Sequence, residues 1–215
     1  MSILQMSFVK TKTSQKWNVM VNVIYIENLR VLAELCLQVK DEAGAAIYID
    51  RAAKARDSLE ELCWDEADGL YYDVNGKENQ KLRVNTFTSL MPLLLADLAP
   101  KKVEALMAHL LNPDEYWAEF PIPSTAMNHP TYRPETVGGN LVWRGPTWIN
   151  SNWYLARGLM RHGRVDLARV IANQSILAMR KSGVREYYNP QTASGRGAPD
   201  FSWSTILLDL VMMVL

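Results

Sequence analysis

Apolar residues recur at helical spacing at Tyr25, Leu29, Leu32, Cys36 and Val39, and again at Tyr48, Ala52, Ala55, Leu59 and Leu62. Each stripe predicts an amphipathic helix of about 20 residues. Between them, Asp41-Glu42-Ala43-Gly44 supplies a turn and acidic residues for the first turn of the second helix. So short a connection predicts an antiparallel pair. Periodicity breaks over the stretch from Trp64 to Gly76, where turn residues surround a short aromatic segment, and this reads as a hairpin-like loop.

Helical patterns resume from Phe87 to Leu98 and, after Ala99-Pro100, from Val103 to Leu111. Gly145-Pro146 is expected to open a helix that runs to about His162, with proline in its favoured first turn and Gly163 as the stop. Val165 to Lys181 predicts the next helix, closed by Ser182-Gly183. The terminal segment Phe201 to Leu215 is apolar on nearly every side and is expected to be a buried helix, with Asp200 as its cap.

The count is about seven helices in antiparallel pairs with almost no strand, an all-α fold. No short sequence period repeats, which argues against a solenoid. Two long segments, Asn112 to Gly145 and Val184 to Pro199, interrupt the short turns. Loops of that length are functional or disordered, and the tryptophans and apolar content of the first argue against disorder. Short turns alternating with long aromatic loops suit half of an α/α toroid with its ligand-binding loops at one end.

Composition narrows the function. The 215 residues are 48% hydrophobic, enough for a sizeable core. Lys plus Arg and Asp plus Glu are each 23, so no charge surplus recommends nucleic acid or a solvating tail. Cys36 and Cys63 lack CxxC spacing and are expected to be buried free thiols, and His109, His129 and His162 are too scattered for a metal cluster. No metal and no cofactor is expected. No run approaches the roughly 18 apolar residues of a membrane span, and Met1 to Lys16 lacks the continuous apolar core of a signal peptide, which favours the cytoplasm and no membrane partner.

Two segments carry candidate chemistry: Asn140-Leu141-Val142-Trp143-Arg144-Gly145-Pro146-Thr147-Trp148-Ile149-Asn150-Ser151-Asn152-Trp153, and Gly183-Val184-Arg185-Glu186-Tyr187-Tyr188-Asn189-Pro190. Aromatic faces stack on pyranose rings, while Arg and Asn side chains orient hydroxyls, so the content is that of a sugar site. Glu186, between Arg185 and two tyrosines, is placed to stay ionised and to activate a water. The bland alternative is a surface ion pair. Trp153, Leu155, Leu159 and Met160 read as core, Tyr71 and Tyr72 as packing of the hairpin, and Arg51, Lys54, Arg56 and the charges near Arg161 as solvated helix faces.

Trp143-Arg144-Gly145-Pro146-Thr147-Trp148, Asn152-Trp153, Glu186-Tyr187-Tyr188-Asn189-Pro190 and Phe201-Ser202-Trp203-Ser204 together resemble the C-terminal half of the family-63-type glycosidases and their mannosylglycerate and glucosylglycerate hydrolase relatives. Trp64-Asp65-Glu66 to Gly69-Leu70-Tyr71-Tyr72-Asp73 and Phe120-Pro121-Ile122-Pro123-Ser124 add two further landmarks in order.

The resemblance implies part of an (α/α)6 barrel that hydrolyses an α-glucoside or α-mannoside with inversion. It makes Glu186 the general base and Trp143, Arg144, Gly145, Trp148, Tyr187 and Trp203 the sugar-binding residues. Residues 1–16 are then an irregular start, and 17–215 the C-terminal half of the catalytic domain. The aspartate that serves as general acid belongs, in the family, to the half preceding this chain. Among Asp65, Asp73, Glu119 and Asp200, Asp65 and Asp73 fit a structural landmark and Asp200 a cap, and no substitute acid is expected. The acidic residue that relatives often carry before the asparagine of Trp17-Asn18 is absent. The implied partner is a small neutral or weakly acidic glycoside, and exposed apolar helix faces would favour self-association. Two alternatives stay open: a carbohydrate-binding module without catalysis, and a trehalase-like or other (α/α)6 carbohydrate enzyme.

Overall fold

The computed structural model describes residues 16–135 and 142–215. Residues 1–15, most of the expected irregular start, lie outside the described residues, as do Asn140 and Leu141 of the first candidate segment. The chain divides into two compact units, Met1–Val84 and Asn85–Leu215.

The first unit is a helix pair with a small strand cap. Helix α1 spans Val19–Gln38 and α2 Glu42–Cys63. Asn18 caps α1 by accepting from Val21 N at 3.0 Å. The turn into α2 has a helix-closing double bond: Lys40 N donates to Leu37 O at 3.0 Å and Asp41 N to Cys36 O at 2.8 Å. Lys40 takes the left-handed conformation this requires (φ 62). Asp41 then caps α2 through Gly44 N at 2.8 Å. Gly44 is needed there, since a Cβ would lie 2.1 Å from Asp41 Oδ2.

The buried face of α1 is Val19, Asn22, Val23, Ile26, Leu29 and Ala33. Of the expected stripe, Leu29 is buried and Tyr25 and Cys36 are partly buried, whereas Leu32 and Val39 are exposed. In α2, Ala52, Ala55 and Leu59 are buried as the periodicity predicts.

The expected hairpin-like loop belongs to two small antiparallel sheets. Strand β1 (Lys16–Trp17) joins β4 (Val74–Asn75), which joins β5 (Gln80–Lys81), while β2 (Trp64–Asp65) pairs with β3 (Leu70–Tyr71). Tyr71 and Tyr72 are buried, as packing residues should be. Asp73 accepts from Asn18 Nδ2 and Val19 N, each at 2.8 Å, so it secures the start of α1. Asp65 is buried and bonded to Arg83 at 2.6 Å, Lys81 at 3.2 Å and Asp68 N at 3.1 Å.

The second unit begins with the 3-10 helix Phe87–Leu94 rather than the expected α-helix. Pro92 lies inside it and cannot donate to an α-helical ladder. Helix α3 (Pro100–Leu110) follows with proline in its first turn. Helix α4 is Ile149–Arg161 and α5 Val165–Ser182, joined by the same turn as the first pair, with Gly163 N donating to Met160 O at 3.0 Å and Arg164 N to Leu159 O at 2.8 Å.

Gly158 lets α4 approach the 3-10 helix, where a Cβ would lie 2.9 Å from Leu93 O. Leu155 and Leu159 are core, whereas Trp153 and Met160 are partly exposed. The segment 184–199, expected as a loop, is an antiparallel hairpin of β6 (Arg185–Tyr188) and β7 (Gly195–Pro199).

The last segment is a short 3-10 helix, Ser202–Ile206, then α6, Leu207–Val214. It is not buried on every side: Leu207, Leu210 and Val214 face inward, while Leu208 and Met212 are exposed. Asp200 does not cap it, being held at φ 51 before Phe201, where no side-chain cap bond forms. Among the described residues no helix is long and apolar enough to cross a membrane.

Burial alone would raise the Asp65 carboxyl, but the Asp68 N–H and the Lys81 and Arg83 cations outweigh it and hold it below the ordinary carboxylate value. A lowered folded-state value contributes stability above the unfolded value, near pH 4, and loses it as pH falls through the folded one. Asp65→Asn should therefore cost about 2 kcal/mol at neutral pH, the worth of a charged hydrogen bond with partly exposed partners. Denaturant titrations of both proteins should show the gap narrowing below about pH 4.

Candidate active site

The segment 112–148 contains no regular helix or strand among its described residues, so its shape comes from specific bonds. Thr147 and Tyr188 exchange backbone hydrogen bonds, Thr147 N to Tyr188 O at 2.8 Å and Tyr188 N to Thr147 O at 2.9 Å. Thr147 also bridges to Pro123, and its hydroxyl donates to Phe120 O at 2.9 Å. This corrects the expected start of α4: Gly145, Pro146 and Thr147 belong to an extended bridge, and the helix begins at Ile149.

Asn152, fully buried in the first turn of α4, holds the other side of the loop. Its Oδ1 accepts from Ile122 N at 2.9 Å, and its Nδ2 donates to Pro121 O at 2.8 Å and Ser175 Oγ at 3.0 Å. Ser124 Oγ accepts from Gly145 N at 3.0 Å. Gly145 has φ 144, and a Cβ there would meet the Arg133 backbone at 2.9 Å. Its role is to permit that close crossing.

These bonds set an aromatic platform. Trp143 stacks on Trp148 with centroids 3.8 Å apart and planes 8° apart. Trp148 lies 5.0 Å from Tyr187 and 6.4 Å from Trp203, and Phe201 meets Trp203 edge-on at 5.6 Å. Trp148 is 2% exposed and its indole N–H donates to Val142 O at 3.1 Å, while Trp143 is 37% and Trp203 54% exposed. Trp148 and Tyr187 are thus the buried floor, while Trp143, which also stacks with Phe87 at 6.0 Å, and Trp203 keep part of their surface exposed. Gly145 is buried and Arg144 exposed. Burial lifts the Tyr188 phenol above its ordinary value. The Tyr188 hydroxyl donates to Gly183 O at 2.8 Å and accepts from Arg185 N at 2.9 Å, closing the base of the hairpin.

Glu186 is half-buried on β6, next in sequence to Tyr187 of this platform, and its Oε2 accepts from Ala198 N at 3.1 Å. It forms no ion pair with Arg185, whose Nε donates to Ser182 O at 3.2 Å. A second polar group closes the far end of the hairpin: Asn189 Oδ1 accepts from Gln191 N at 2.8 Å and Thr192 N at 2.9 Å. Asn189 Nδ2 donates to Glu135, which pairs with Arg196 at 2.8 Å.

Both halves of the site, the tryptophan loop and the carboxylate hairpin, match a known family. The profile of the mannosylglycerate hydrolase MGH1-like glycoside hydrolase domain covers residues 8–204. The chain belongs to that family. A mannosylglycerate hydrolase of Thermus thermophilus is 33% identical over 150 residues, covering 68% of this chain and 34% of that protein, and one from Rubrobacter radiotolerans is 28% identical over 197 residues, covering 91% and 43%. A solved family-63 mannosylglycerate hydrolase, also of Thermus thermophilus and in complex with glucose, superposes with a TM-score of 0.81 at 28% identity, over 92% of this chain and 48% of that one. The chain thus spans about a third to a half of the length of these relatives. The all-α class and the likeness to family-63 (α/α)6 enzymes are as the sequence led us to expect.

The possible stand-in acids of this glycoside hydrolase chain are bonded elsewhere or have exposed side chains. Asp65 is held ionised by its cations, Asp73 secures α1, Asp200 is exposed in its strained turn and Glu119 is exposed. Among the described residues no group of three or more His, Cys, Asp or Glu is placed to hold a metal ion. Sequence reasoning missed Gly197 and Ala198, which face Glu186, although Gly195-Arg196-Gly197 at a strand position is a signal for a bulge. It also missed the brace formed by Glu135.

Trp148→Ala should cost about 3–5 kcal/mol, because it empties the floor of the platform. Trp143→Ala should leave the melting temperature within a few degrees and weaken sugar binding, which calorimetry with methyl α-mannoside checks.

Proposed function

We propose that this chain carries the general-base side of an inverting glycosidase site that cleaves an α-mannoside or α-glucoside, with a glycosylglycerate as the substrate class. The observation that carries the proposal is a half-buried carboxylate, Glu186, held on a hairpin whose next residue, Tyr187, packs against Trp148 at 5.0 Å, in a glycoside hydrolase chain. Family relatives described as mannosylglycerate hydrolases support the choice of sugar and aglycone.

In this reaction Glu186 takes a proton from water as the water oxygen attacks the anomeric carbon from the face opposite the leaving group. The bond to the leaving oxygen breaks with its electron pair, and an acid about 6.5–9.5 Å away protonates it. Trp143 and Trp203 stack on the ring, and Arg144 orients hydroxyls or an acidic aglycone. Nucleic acid and membrane have no part in it, and the free thiols Cys36 and Cys63 suit the reducing cytoplasm.

An α-glycosyl fluoride tests the base alone, because fluoride departs without a proton. The chain should release fluoride and β-mannose from α-mannosyl fluoride, and Glu186→Gln should lower that rate on the order of 10²–10⁴-fold while sparing mannose binding. Near-parental turnover by Glu186→Gln would sink the assignment. The second reading is a sugar-binding module without catalysis, which the partly exposed Trp143 and Trp203 would serve equally. Binding by the parent without any fluoride release selects it.

Two exposed apolar stripes, Val31, Leu35 and Val39 on α1 and Leu208 and Met212 on α6, are the surfaces through which copies of the chain associate. Light scattering should give a mass above 24.4 kDa for the parent, falling toward that value in Leu35→Glu with Val39→Glu. A monomeric parent at micromolar concentration contradicts this.

A further inference from the structure

Strands β6 and β7 pair Arg185 with Pro199 and Tyr187 with Arg196. One residue, Glu186, is therefore opposite two, Gly197 and Ala198, a bulge on β7. A bulge leaves a residue out of the ladder. Here the Ala198 N–H donates to the Glu186 side chain, to Oε2 at 3.1 Å. Gly197 makes the approach feasible. Its φ is 69, and a Cβ would stand 2.4 Å from Glu186 Oε2, 2.6 Å from Glu186 Cβ and 2.8 Å from Tyr187 Cε1. The last two atoms belong to the strand's own root and to a buried ring, so a small shift of the carboxylate alone does not make room.

We propose that the Gly197-Ala198 bulge is the positioning element of the Glu186 carboxylate, fixing Oε2 on a backbone N–H and leaving Oε1 to receive the proton of the attacking water. The proposal rests on the general-base role of Glu186. A glutamate has three rotatable side-chain bonds, and a base is effective only when held in line with its water. Among the described residues no donor is bonded to Oε1, so that oxygen is the one available to the water. The strand that carries Glu186 is clamped on both sides, Tyr188 bonding Thr147 through the main chain and Ser204 Oγ donating to Arg185 O, and β7 is paired with it on either side of the bulge. The bulge thus transfers the rigidity of the hairpin to one carboxylate oxygen.

The test combines one spectroscopic and one kinetic readout on the full chain. In the ¹⁵N-labelled parent, the Ala198 amide proton should move with pH along a single carboxylate titration, and in Glu186→Gln the same resonance should be flat. With α-mannosyl fluoride, Gly197→Ala should lower kcat on the order of 10²-fold with KM unchanged, as expected for a misplaced catalytic group rather than a damaged binding surface. A flat Ala198 amide in the parent overturns the positioning role, as does a folded Gly197→Ala protein with parental kcat. If Gly197→Ala does not fold, the amide comparison between parent and Glu186→Gln decides alone. Parental turnover by Glu186→Gln sinks the base assignment itself, whereas a flat amide sinks only the positioning.

Discussion

The reciprocal pair of backbone hydrogen bonds between Thr147 and Tyr188 is the constraint on which the site depends. The loop that carries Trp143 has no helix or strand of its own, and the hairpin that carries Glu186 is only two strands, marginal in isolation. Joined at Thr147, they become a short three-stranded arrangement with Pro123 on the other side. The Thr147 hydroxyl and the three bonds of Asn152 then fix the loop against α4 and α5. The tryptophan loop and the Glu186 hairpin are held by one continuous set of hydrogen bonds, which is why a long irregular segment can hold a fixed shape.

The platform follows from this constraint by packing. Trp148 sits immediately after the bridge, so its ring is directed inward and its indole N–H is satisfied by Val142 O. Trp143, five residues earlier on the returning chain, stacks over it at 3.8 Å and keeps part of its surface in water. Burying one large aromatic thereby presents another. The same division holds on the hairpin, where Tyr187 and Tyr188 are buried and Glu186 between Arg185 and Tyr187 is not. Burial deepens along the strand from Arg185 and Glu186 to Tyr187 and Tyr188, which leaves the carboxylate partly in water.

How much of this is legible in the sequence depends on whether the governing interaction is local. Helices α2, α4 and α5 are readable because their apolar spacing and their stops, such as Gly163, are local signals. The outer half of the α1 stripe misleads, because Leu32 and Val39 have helical spacing but no element of this chain covers them among the described residues. Pro146 misleads for another reason. Proline suits a helix start and an extended bridge equally, and only the distant Tyr188 decides between them. Pro92 similarly lies in an apolar run whose hydrogen bonding it changes from α to 3-10. Ordered motifs reveal the tryptophans and Glu186, whereas Gly197, Ala198 and Glu135 act through approaches that no local pattern encodes.

The bulge opposite Glu186 shows why such approaches escape a sequence reading and still govern chemistry. A carboxylate in a hairpin can fold back on a neighbouring cation, and Arg185 is adjacent in the chain. That pairing does not form because Arg185 is bonded to Ser182 O, and the extra residue in β7 presents an N–H where a regular ladder would present none to the side chain. A neutral, fixed donor orients the carboxylate without the long flexible stem of a cation, and it leaves the second oxygen unclaimed. The spacing of two residues against one is therefore the feature that separates a site carboxylate from the surface ion pair that the same local sequence would otherwise suggest.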